Sequence, residues 1–220
     1  MNTNWDIIGP VLLTAIGQTV WMVSATLVVG GFLGLVLGVL LYTSRPGGLL
    51  ANRVVFAVLN VLVNVIRPVP FIIFITAIGP LTISVVGTQL GTPAATFALI
   101  VAATFAISRI VEQNLVTIDP GIIEAARAMG ASPARIIVTL LVPEALGPLI
   151  LGYTFVFVAV VDMTAVAGAV GGGGLGDFAI AYGYQRFDWA VTAIAVAIII
   201  VLVQAAQFVG NRLAAKALRR

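Results

Sequence analysis

Long apolar runs separated by short polar connections dominate the chain. The run 19–42 carries no charged residue, 147–170 carries only Asp162, and 188–210 carries none after Asp188. A helix of about 20 residues crosses a ~30 Å hydrocarbon core, so each of these predicts a transmembrane helix. Two further runs are less regular. The run 58–80 contains Asn60, Asn64, Arg67, Pro68 and Pro70, a pattern that predicts an amphipathic or broken span. The run 92–110 is short in apolar terms and ends at Ser108-Arg109. The pattern predicts an all-α polytopic membrane protein with five transmembrane helices, at about 19–42, 58–80, 92–110, 147–170 and 188–210.

The longest polar interruption is DPGIIEAARAMGASPARIIVTLLVPEALGP, from Asp119 to Pro148. Asp119-Pro120 has the form of an N-cap followed by proline at the first helical position, where its missing N–H costs nothing. Ile122, Ile123, Ala126 and Met129 recur at helical spacing and predict one apolar face. Glu124 and Arg127, three apart, are placed to pair on the exposed side. Gly130 suits the position just past a helix end. Ser132-Pro133 repeats the start signal, opening a second helix through Val142 that Pro143 ends. Two short helices with a glycine corner, 119–143, follow.

Composition narrows the function. The chain is 61% hydrophobic and 9% charged, with mean hydropathy +1.17, against about 25% charged in soluble domains. Cysteine and histidine are absent, which excludes a disulfide framework, thiolate metal sites and the commonest general base. No catalytic, metal or cofactor site is expected. The N-terminus lacks a basic n-region, and the first apolar run is too long for a signal peptide, so it is expected to be a retained span. No G-x-x-x-x-G-K-[ST] occurs and the only lysine is Lys216; a nucleotide site would have to lie on another subunit.

Charge then sets orientation. With five spans, Arg45, Arg53, Arg109, Arg127, Arg135, Arg212, Lys216, Arg219 and Arg220 fall on one side. The other side holds Arg186, and Arg67 lies within or beside a span. The positive-inside rule predicts a cytoplasmic C-terminus and an N-terminus outside. The net charge of +3 is explained by this placement and needs no nucleic-acid partner.

Several residues allow two roles each. Asp162 lies deep in a span and must face protein or a watery cavity: it is either a hydrogen-bonded structural acid or a pathway residue near a substrate ammonium or gate. Arg67 either snorkels to the headgroups or lines the pathway. Gly30, Gly34 and Gly38 form a small-residue ridge for packing within the subunit or across a dimer seam. Gly171–Gly176 is expected to be a turn or a tight packing site, with an external gate as the functional alternative. Trp21, Tyr42, Tyr182, Tyr184 and Trp189 are expected in interfacial belts.

Glu124-Ala125-Ala126 followed by Gly130 and a hydrophobic stretch ending in Val142-Pro143 resembles the EAA motif of ABC-importer permeases. With residues 67–73 (RPVPFII) and 168–189 (GAVGGGGLGDFAIAYGYQRFDW), the chain resembles the methionine-uptake branch of type I importers over about 17–212. One segment departs from that branch: where a Ser-Tyr-Ser-Ala-like run is common, this chain has Asp162-Met163-Thr164-Ala165. The resemblance implies a type I permease in a bacterial cell membrane, working as a homodimer with a separate ABC ATPase subunit and an extracytoplasmic substrate-binding (lipo)protein. It also implies that Ile123, Glu124, Ala125, Ala126, Arg127, Met129, Gly130, Ala131 and Ser132 couple to the ATPase. Asp162, Met163 and Arg67 remain candidates for the substrate pathway or gate, with D- or L-methionine as the first substrate and related amino acids or their derivatives next. An ion-coupled secondary carrier and an assembly subunit without its own pathway are the alternatives.

Overall fold

A computed structural model describes residues 5–218; Arg219 and Arg220, used in the charge argument, lie outside the described residues. The described residues are helical, with no strand among them. Helix α1 spans Trp5–Ser44, α2 Arg53–Ile66, α3 Phe71–Ala77, α4 Gly79–Val86 and α5 Thr92–Val116. The polar connection holds α6 (Pro120–Ala128) and α7 (133–144). Then come α8 (Leu146–Ala169), α9 (Gly174–Phe178, continued by a wide π turn Ala179–Gly183) and α10 (Trp189–Leu218). Helices α1, α5, α8 and α10 are each long and apolar enough to cross a membrane, and the bent pair α2–α3 makes a fifth candidate.

The first helix is longer than its charge-free run suggests. Residues 5–18 are also mostly apolar, with Asp6, Thr14 and Gln18 as the polar exceptions, and Asp6 stands in the first turn, where an acid suits the positive end of the helix dipole. Forty residues at 1.5 Å each reach about 60 Å, twice the hydrocarbon thickness. Trp21 therefore lies well inside a helix, 63% exposed. Tyr42 is buried, its ring beneath the Arg45 guanidinium at 4.1 Å.

Helix α5 is the centre of the bundle. It packs against α1 on one side, α8 on another, and the broken α2–α3 pair on a third. The glycine ridge makes the first contact close and keeps it inside one subunit. A Cβ at Gly34 would lie 2.7 Å from Ile107, and one at Gly38 would lie 2.5 Å from the Ser108 carbonyl.

The fifth candidate span is broken, as its polar residues foreshadow. Pro68 and Pro70 cannot donate to the helix ladder and bias the residues before them away from helix. The chain turns by 112° between Ile66 and Phe71.

At the far end of α8 the glycine run is a tight return turn. Gly171 and Gly173 have φ of +86 and +74, and the Gly171 carbonyl accepts from the N–H of Gly91 at 2.8 Å.

Candidate functional site

The 119–143 connection is built by its caps. Asp119 Oδ1 accepts from the N–H of Gly121 at 2.8 Å, and Pro120 occupies the first turn of α6. The helix stops in a Schellman arrangement: the N–H of Gly130 donates to the Arg127 carbonyl at 2.9 Å, and that of Ala131 to the Ala126 carbonyl at 3.1 Å. Gly130 holds φ +79 there. Ser132 Oγ then accepts from the N–H of Arg135 at 3.4 Å and opens α7.

Pro143 does not end the second helix. The backbone widens into a π turn over Ile137–Leu141, where the Val142 N–H reaches the Ile137 carbonyl. That widening moves the i−4 carbonyl away from the proline ring, so helix resumes through Glu144 and leads on toward α8.

The predicted apolar face of α6 divides in two. Ala126 and the partly buried Ile123 turn inward and join Ile118, Ile136, Leu141 and Leu115 in one core with α5 and α8. Ile122 and Met129 turn outward, 43% and 81% exposed, with Glu124, Ala125, Arg127, Gly130 and Ser132 also exposed. Neighbours needed inside take only part of the stripe, and the remainder stands on the surface beside Glu124. The predicted Glu124–Arg127 ion pair does not form; both side chains instead line a cleft of about 100 Å³ with Tyr42 at the end of α1 and Arg45 and Leu49 from the loop after it. The connection is thus fixed to the ends of α1, α5 and α8.

Of the pathway candidates, Asp162 is exposed on α8 and Arg67 on the bend, and neither side chain has a hydrogen-bond or ion-pair partner among the described residues. Met163 and Arg67 come together, lining a cavity of about 50 Å³ with Phe71 and Phe74.

One polar cluster was not singled out from sequence. Arg109 on α5 forms an ion pair with Glu112 and donates to Asn64 Oδ1 at 2.6 Å and Asn60 Oδ1 at 3.3 Å. Its sequence signal was present: two asparagines four apart in one span, and an arginine and a glutamate three apart in the next.

A family model described as binding-protein-dependent transport system inner membrane component matches residues 30–219. The chain belongs to that family. Over 202 residues the permease is 44% identical to the probable D-methionine transport system permease protein MetI of Vibrio cholerae, covering 92% of this chain and 90% of that one. It is 40% identical over 172 residues to the methionine import system permease protein MetP of Bacillus subtilis, with 78% of each covered. Among solved structures, a chain of the MetNI methionine ABC transporter in inward-facing conformations superimposes with TM-score 0.92 at 36% identity, covering 99% of both. The all-α membrane permease fold expected from the sequence is therefore the fold of this chain.

Proposed function

We propose that this permease is the membrane-spanning subunit of an ATP-driven importer for methionine, assembled as a homodimer with two copies of a separate ATPase and an external binding protein. The observation that carries the coupling half of this proposal is α6. It is capped at both ends and anchored through Ile123 and Ala126, yet it presents Ile122, Glu124, Ala125 and Met129 outward. A rigid helix with an unpartnered apolar stripe suits a groove on a soluble subunit, and its anchoring suits transmission of that subunit's closure. ATPase closure would draw the two α6 helices together and turn the cavity outward; hydrolysis would reset it.

The same end of the molecule supports the orientation with the C-terminus cytoplasmic. The fold gathers Arg45, Arg127 and the close of α10, where Leu218 packs on Gly147, at one pole. The positive-inside rule makes that pole cytoplasmic. The methionine assignment is supported by the 44% identical relative.

Reconstitution tests the proposal. The permease co-expressed with its ATPase and binding protein is expected to take up methionine only with ATP. Glu124→Lys or Gly130→Pro is expected to abolish ATPase co-purification; a fully coupled complex in both variants would sink the docking assignment.

A further inference from the structure

An unpaired charge at membrane depth has to face water or protein. This permease carries two such charges of opposite sign on neighbouring elements. Asp162 lies seven residues before the end of α8, about 10 Å of helix rise from it. It is exposed, on a stripe with Leu151, Phe155, Val158, Val166 and Ala169. Arg67 stands at the 112° break between α2 and α3, also exposed and without a side-chain partner among the described residues. Irregular backbone at this depth is tolerated only where it is buried in protein or lines a water-filled cavity. Met163, the residue after Asp162, lines a cavity with Arg67, Phe71 and Phe74, and α8 packs against α3.

We propose that Arg67 and Asp162 form a split site for a zwitterionic amino acid, the guanidinium taking its carboxylate and the Asp162 carboxylate its ammonium, with the Phe71–Phe74–Met163 cavity taking its apolar side chain. The site rests on the importer function proposed above. The cavity, about 50 Å³, exceeds the ~30 Å³ share of one water but is smaller than a whole amino acid. It therefore accepts the tip of a side chain, and the polar ends stay outside, where both charged residues are exposed. Aromatic rings and a thioether on its wall suit a soft, unbranched apolar tip. By contrast, the larger cleft of about 750 Å³ between α1, α8 and α10 has no charged side chain in its lining and offers nothing to a zwitterion.

The absence of cysteine makes a direct test clean. Val166→Cys, one turn from Asp162, is reacted with a charged methanethiosulfonate in the permease–ATPase complex in nanodiscs; Val158→Cys serves if the first variant does not assemble. The thiol is expected to react, and L-methionine to slow the reaction about tenfold, the effect of one charge-assisted contact pair. N-acetylmethionine, lacking the ammonium, and methionine amide, lacking the carboxylate, are each expected to protect only in part. Asp162→Asn is expected to remove protection by methionine and by methionine amide, and Arg67→Gln protection by methionine and by N-acetylmethionine. No reaction with the charged reagent, equal protection by all three compounds, or full protection by methionine in Asp162→Asn would overturn the site. Protection by leucine without methionine would leave the split site standing and overturn the methionine assignment instead; ATP-driven methionine uptake with unprotected thiols would do the reverse.

Discussion

Gln18 Oε1, on the first helix, accepts a hydrogen bond at 2.7 Å from the N–H of Gly174, 156 residues further along the chain. Thr19 Oγ1 does the same for Leu175 at 2.8 Å. These two side chains supply partners to N–H groups at the start of α9, where no earlier helical turn can. Thr19 and Leu175 are both about 1% exposed, so no water substitutes. Thr19→Val keeps the shape and removes the acceptor, and is expected to cost about 1–3 kcal/mol. Thermal unfolding of the purified permease, followed by tryptophan fluorescence, measures it; an unchanged Tm would mean that Leu175 finds another acceptor.

The glycine ridge makes a graded prediction. A Cβ at Gly30 would come no closer than 3.0 Å to a neighbour, at Gly34 it would reach 2.7 Å, and at Gly38 2.5 Å, the last against backbone. Alanine substitutions are expected to destabilise in the order Gly38, Gly34, Gly30, with the worst case at about 1–3 kcal/mol, the usual cost of overpacking. The same unfolding assay ranks them, and a reversed order would contradict helix separation as the cause.

What could be read from the sequence was what is local. The Asp119 and Ser132 caps and the Gly130 stop depend on residues three to five positions away, so their types and spacing sufficed. The break at 67–70 was flagged by its prolines, but its 112° bend depends on how α3 packs against α5 and α8. The split of the α6 stripe was hidden for a similar reason. Periodicity puts Ile122, Ile123, Ala126 and Met129 on broadly one side, and only the core beneath decides that Ile123 and Ala126 turn inward. The glycine run 171–174 was legible as a turn, yet its partners Gln18 and Gly91 are too distant in sequence to infer. Asp162 was recognised as anomalous, and the fold adds that its side chain has no partner among the described residues.

The Arg109 cluster ties α2 to the bundle core through polar contacts. Glu112 is only 9% exposed, so Arg109→Met strands a nearly buried carboxylate and frees the Asn64 carbonyl, while that of Asn60 still accepts from Asn64 Nδ2. The expected loss is about 3 kcal/mol. Arg109→Met combined with Glu112→Met is expected to be less destabilised than Arg109→Met alone, since no charge is then left unpaired. A double-mutant cycle on unfolding free energies checks the sign; additive losses would show that the pair is not coupled.

Gly130 separates conformation from contact at the end of α6. Nothing lies within 4 Å of a Cβ built there, and φ is +79, so alanine meets no clash and carries only the cost of a left-handed backbone, about 1–2 kcal/mol. Asparagine tolerates that region better. If the Schellman stop fixes the angle between α6 and α7, Gly130→Asn is expected to retain more ATP-dependent uptake than Gly130→Ala, although its side chain is larger. Met129→Glu is the complementary test. Met129 is 81% exposed, so its replacement leaves the core intact and the Tm is expected to move little, while a charge in the outward stripe weakens ATPase association. Uptake and co-purification in the same preparations separate the two effects. Asparagine no better than alanine would deny the stop its role, and a Met129→Glu complex of normal stability and normal ATPase content would deny the stripe its partner.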